Sequence, residues 1–101
     1  MASRPPPSSS SIDAVLPCTI VNNLGLHARA ATKLVQLASR YPCEVEVANG
    51  DQTANGKSVM GVLLLCGSRG TIVEVRAKGD QALECVRAIG ELIASKFGEP
   101  A

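Results

Sequence analysis

The chain has 101 residues, 46% of them hydrophobic, which suffices for one modest core and excludes two domains. Ten Lys and Arg against nine Asp and Glu leave a net charge of +1, too even for a protein that grips nucleic acid through its phosphates. One Tyr, one Phe and no Trp leave little to stack bases on, and a single histidine, His27, confines any imidazole chemistry to one place.

Residues 1–13 are rich in Pro and Ser and nearly devoid of apolar side chains, so a flexible tail is expected ahead of a domain spanning residues 14–101. No secretory signal is recognisable and no apolar run approaches the roughly 18 residues of a membrane helix. A cytosolic protein without a membrane partner is expected. Cys18, Cys43, Cys66 and Cys85 include no Cys-x-x-Cys pair, and with one histidine they form no metal set. They read as reduced, mostly buried thiols.

From Ala14 to Val21 the apolar side chains alternate as in a strand, and Pro17, which cannot donate to a ladder, assigns that strand to a sheet edge. Asn22-Asn23-Leu24-Gly25 is turn chemistry. From His27 to about Arg40 the period becomes helical, with Ala31, Leu34 and Ala38 on one face and Arg29, Lys33, Gln36 and Arg40 along a basic ridge. Cys43, Val45 and Val47 then alternate with Glu44 and Glu46. Asn49-Gly50 marks a tight turn before a weak strand at Gln52 to Asn55.

Ser58 is expected to cap a short helix opening at Val59. Val73, Val75 and Ala77 alternate with Glu74, Arg76 and Lys78, a strand whose charged residues face water. Asp80 can cap a last helix with Ala82, Val86, Ile89 and Ile93 as its apolar stripe, widened by Leu83, Leu92 and Phe97 and ended by Gly98 and Pro100. Strands with one charged face and helices with one apolar face predict an antiparallel sheet covered on one side.

His27 stands where a loop becomes a helix. Unpaired amides and the positive end of the helix dipole make that place a seat for an anion. A neutral imidazole there is a nucleophile, and the backbone amides of Ala28 and Arg29, with the Arg29 guanidinium, can meet the oxygens of a phosphoryl group it accepts. Taken alone, His-x-Arg reads more plainly as a capping histidine beside a solvated arginine.

Gly25-Leu26-His27-Ala28-Arg29, Leu34-Val35 and Gly56-Lys57-Ser58-Val59-Met60-Gly61-Val62, at their mutual spacing, closely resemble the HPr family, the histidine-containing phosphocarriers of the phosphoenolpyruvate-dependent sugar phosphotransferase system. The resemblance runs from about Val15 to Phe97. It implies an α+β fold, an open-faced β-sandwich in βαββαβα order whose four-stranded antiparallel sheet, ordered 1-4-2-3, carries three helices on one face. It also implies a carrier rather than an enzyme. His27 would take a phosphoryl group on Nδ1 from phospho-enzyme I and pass it to enzyme IIA proteins, with Arg29 as the active-site arginine. No cofactor or metal is implied for the chain, the Mg²⁺ of the relay being needed by enzyme I, and a monomer is expected.

Ala30 stands where the family motif has proline, which leaves the first helical turn slightly freer. Ser58 matches the serine that an HPr kinase/phosphorylase modifies in many relatives, although its capping role alone explains it. Leu26, Val59 and Met60, ringed by Arg29, Lys33 and Arg40, are the expected partner surface. The alternative function is a regulatory module of the same fold that works through protein contacts.

Overall fold

The computed structural model describes residues 12–101. Residues 1–11 of the expected tail lie outside the described residues. Asp13 already belongs to the folded unit: its amide donates to the Ala77 carbonyl at 2.9 Å, and its carboxylate accepts from the Gly79 N–H at 2.7 Å.

The elements follow in the predicted order: β1 (Ala14–Thr19), α1 (Ala28–Ala38), β2 (Glu44–Asn49), β3 (Gln52–Asn55), α2 (Val59–Leu64), β4 (Ile72–Lys78) and α3 (Ala82–Ala94). A single 3-10 turn, Lys96–Gly98, comes after α3. The strands form one antiparallel sheet in the order β1-β4-β2-β3. Pro17 lies opposite Glu74 on the outermost strand, where a missing N–H breaks no ladder.

Alternation in β4 sends Val73, Val75 and Ala77 inward, and Val45 and Val47 do the same from β2. Against them α1 packs Ala30, Ala31, Leu34, Val35 and Ala38, and α3 packs Ala82, Cys85, Val86, Ile89 and Ile93. Alanines on α1 let that helix sit close to its neighbours. At Gly90 α3 approaches β1 so tightly that an added Cβ would lie 2.6 Å from Leu16 Cδ2. Among the described residues no helix is long and apolar enough to cross a membrane, and no group of three or more His, Cys, Asp or Glu could hold a metal ion.

Four expectations need correction. Glu46 does not face water: it is 6% exposed and accepts at 2.7 Å from Arg76, its cross-strand partner, whose Nε donates to Glu74 at 2.6 Å. On an inner strand the neighbours cover the carboxylate, and the guanidinium supplies the charge-assisted hydrogen bond that offsets its burial. Asp80 does not cap α3. Gln81 occupies the cap position with φ +64 and no side-chain bond, while the Gly79 and Gln81 carbonyls accept from Ala82 and Cys85. Leu83 is exposed rather than part of the apolar stripe.

The last helix stops at Ala94, short of Gly98, and the chain then turns through left-handed backbone at Lys96, Phe97 and Gly98 (φ +61, +56 and +77). Cys18, Cys43 and Cys85 are buried and free as expected, whereas Cys66 is exposed. Burial, with the Cys43 thiol against it, pushes the Cys85 thiol up to about 12.

Candidate functional site

The loop into α1 is pinned before it reaches the histidine. Gly25 adopts φ +64 and its amide donates to Asn22 O at 3.2 Å; the next amide, Leu26 N–H, donates to Gly67 O at 2.8 Å. Leu26 is core, and a Cβ on Gly67 would lie 2.7 Å from its Cδ1. Leu26 therefore does not belong to an exposed partner surface: it is the peg that holds the loop.

With Leu26 fixed, His27 becomes the N-cap of α1 in extended backbone (φ −72, ψ 178). Its carbonyl accepts the Ala31 N–H at 2.8 Å, and its side chain does what a serine or aspartate usually does at a cap. Nδ1 accepts from the Arg29 amide at 3.3 Å. The amides of Ala28 and Ala30 lie in the same first turn and have no backbone acceptor among the described residues. Ala30 is fully buried, and where the motif's proline would lack an N–H it supplies one.

The other ring nitrogen faces a residue from the far end of the chain. His27 Nε2 is hydrogen-bonded to Glu99 Oε2, and Glu99 Oε1 accepts from the fully buried Asn22 Nδ2 at 3.0 Å. Asn22 Nδ2 also donates to Gly25 O at 2.9 Å, which ties carboxylate and loop to one amide. The hydrogen bond from His27, seconded by that from Asn22, holds the Glu99 carboxyl below the usual carboxylate range. The His27 side chain is 27% exposed and that of Glu99 12%, so the ring is open to a partner while its anchor is largely covered.

Of the other expected site residues, Arg29 and Met60 are exposed, Val59 packs partly against the core, and Arg40 lies beyond the far end of α1. Lys33 is not a free rim cation, because its Nζ donates to Phe97 O at 2.6 Å and draws the C-terminal turn onto α1. Ser58 caps α2 as expected, its Oγ accepting from Gly61 N–H at 3.1 Å. Leu24 and Leu64 are exposed apolar residues that the sequence reading missed. Leu64 follows Met60 by one helical turn, a spacing that could have revealed it.

A nucleophilic nitrogen at a helix N-terminus, with a carboxylate on the opposite nitrogen, is suited to hold and release an anionic group. A family model described as the PTS HPr component phosphorylation site matches residues 17–95. The chain belongs to the HPr family. Among HPr proteins, the phosphocarrier protein HPr of Pseudomonas aeruginosa is 46% identical over 85 residues, covering 83% of this chain and 94% of the relative. That of Neisseria meningitidis serogroup A is 45% identical over 80 residues, covering 79% and 90%. A crystal structure of HPr-C-His from Thermoanaerobacter tengcongensis matches with a TM-score of 0.84 at 39% identity, over 87% of this chain and 99% of that one. The sheet order and the helix sequence are those of HPr, and the protein is a phosphocarrier of the phosphotransferase system rather than an enzyme.

Proposed function

We propose that His27 is the phosphoryl acceptor, charged on Nδ1 by phospho-enzyme I and discharged to enzyme IIA proteins in the cytosol, with the chain acting as a monomer. The observation that carries this reading is the position of Nδ1 at the start of α1, beside amides that no helix carbonyl satisfies. In the transfer the Nδ1 lone pair attacks phosphorus while the donor's own bond to phosphorus breaks, its electron pair leaving with the donor. Nδ1 then has no lone pair for the Arg29 amide. That N–H is released toward the phosphoryl oxygens, joined by those of Ala28 and Ala30 and by the Arg29 guanidinium.

The transfer uses no metal or cofactor resident in this chain. Exposed Leu24, Met60 and Leu64 supply apolar contact and Arg29 supplies a cation, a surface suited to brief, steered encounters with acidic partners. Incubation with enzyme I, Mg²⁺ and phosphoenolpyruvate tests the reading. An acid-labile phosphoryl adduct is expected on the wild-type chain and none on His27→Ala. An adduct on that variant, or no adduct on wild type with a competent enzyme I, refutes it.

A further inference from the structure

We infer that the backbone N–H of Ala30, a donor that proline at this position would lack, makes this carrier hold its phosphoryl group more tightly than a chain with the proline would, an inference that rests on the phosphocarrier reading of His27.

The sequence decides which N–H groups the mouth of α1 presents. With His27 at the N-cap, Ala28, Arg29 and Ala30 are the first three helical residues, and no carbonyl stands one turn ahead of them to accept their amides. The Arg29 amide is occupied by Nδ1 at 3.3 Å. That of Ala30 has no acceptor among the described residues, and because the residue is completely buried, water does not serve it either. Ala28, by contrast, is an exposed residue. A covered backbone donor without a partner is uncommon in a folded protein and unfavourable to keep. In the free carrier the Ala30 N–H is therefore a donor awaiting an acceptor, one residue along the turn from the amide that touches the histidine.

A phosphoryl group on Nδ1 supplies that acceptor. Successive helical residues stand about 100° apart around the axis, so the amides of Ala28 and Ala30 flank that of Arg29 on its two sides. Three N–H groups thus surround the place where three terminal phosphoryl oxygens arrive. In the transfer the Nδ1 lone pair forms the bond to phosphorus as the donor's own bond to phosphorus breaks, its electron pair leaving with the donor. The amides donate hydrogen bonds to the oxygens and lose no proton. A bond from N–H to an anion is stronger than one between neutral groups, and the Ala30 N–H gives up no water to make it. Proline at this position would remove the third donor and leave the helix intact, because in the first turn its missing N–H breaks no helical bond. Exchange of the two residues changes how firmly the group is held while the element that holds it stays the same. The alanine shifts the transfer equilibrium toward the phosphorylated carrier.

The equilibrium is read as the partition of a radiolabelled phosphoryl group between enzyme I and the carrier. Ala30→Pro is expected to move it about five- to tenfold toward enzyme I, the effect of one hydrogen bond. Ala30→Gly keeps the N–H in a looser turn and should lose no more than about twofold. If stiffness of the turn were what mattered, Ala30→Pro would hold the group at least as well as the wild type and Ala30→Gly would show the larger loss. That order overturns the inference, as does a partition in Ala30→Pro equal to that of the wild type. The wild-type protein provides a second reading that needs no variant: on phosphorylation the NMR signal of the Ala30 amide proton should move downfield and its exchange with solvent should slow. A signal that stays in place overturns the inference as well. Failure of the phosphocarrier reading would appear instead as the absence of any adduct on the wild-type protein.

Discussion

Gly25 is where the loop geometry ahead of His27 is most exposed to a single change. Its φ of +64 would be unfavourable for alanine by about 1 kcal/mol on conformational grounds alone. The added Cβ would also stand 2.4 Å from Gly67 O and 3.0 Å from Ser68 Cα, both backbone atoms that cannot swing aside. The loop must then move, and the first casualty is the 2.8 Å bond from Leu26 N–H to that same Gly67 oxygen, worth about 1 kcal/mol. Withdrawing part of the buried Leu26 side chain adds about another 1 kcal/mol. Gly25→Ala is thus expected to destabilise by about 3 kcal/mol. Gly50 is the internal control: its φ is +62 and nothing lies within 4 Å of its missing Cβ, so Gly50→Ala should show only the conformational loss, about 1 kcal/mol. At roughly 4–8 °C per kcal/mol for a domain of this size, the expected falls in Tm are about 5 °C for Gly50→Ala and about 15 °C for Gly25→Ala. Thermal and urea unfolding followed by circular dichroism measure both. Equal destabilisation of the two variants would show that the close approach of Gly25 to Gly67 carries no energetic weight, and the account of how the loop is pinned would fall with it.

Removing the α2 cap with Ser58→Ala should lower stability by about 1 kcal/mol and hasten amide exchange at Gly61, while leaving adduct formation at His27 intact. Loss of the adduct in that variant would contradict a purely capping effect. Arg76→Ala strands the Glu46 carboxylate, which is only 7% exposed, so urea unfolding should register a loss of about 2 kcal/mol, below the range for fully buried pairs because Arg76 is 24% exposed. A change under about 0.5 kcal/mol would place the pair with ordinary surface bridges.

The carboxyl of Glu99 is depressed first by the His27 hydrogen bond and then by Asn22, with Lys33 adding a favourable charge. Its contribution to stability is therefore complete above the usual glutamate pKa of about 4.3 and is lost as pH falls through its lower folded value. Chemical shifts of residues 96–101 should move in that acid range in the wild type and not in Glu99→Gln. An acid transition of equal size in the variant would assign the effect to another group.

Local signals carried most of the fold. Period-two and period-3.6 patterns placed β1, α1, β2, β4 and α3, the Asn49-Gly50 turn and the Ser58 cap placed β3 and α2, Pro17 identified the edge of the sheet, and His27 announced itself because helix starts are set by residues within one turn. What escaped was set by contacts far apart in the sequence. Glu99 drew no reading between Gly98 and Pro100, Asn22 read as turn chemistry, and Leu26 as an exposed neighbour of the histidine. Each takes its role from a partner that only the finished fold supplies: His27, Glu99 and Gly67 respectively. Glu46 was misplaced for a similar reason, since alternation assigns a side chain to a face of the sheet and says nothing about how far Arg76 and the flanking strands cover it. Gly98 carried part of the missing signal, because a glycine just past a helix permits the left-handed turn that sends Glu99 back.

The position of β4 bears on how this chain can fold while it is being made. It is the last strand in the sequence, yet it lies between β1 and β2, so neither of those strands completes its pairing until residues 72–78 are available. Before then β2 and β3 can form only a two-stranded hairpin, which is marginal on its own, and the apolar faces of α1 and α2 have no finished sheet to cover. Synthesis from the N-terminus therefore yields a chain that stays uncommitted for three-quarters of its length and then closes in one cooperative step, with residues 96–101 arriving at the histidine last of all.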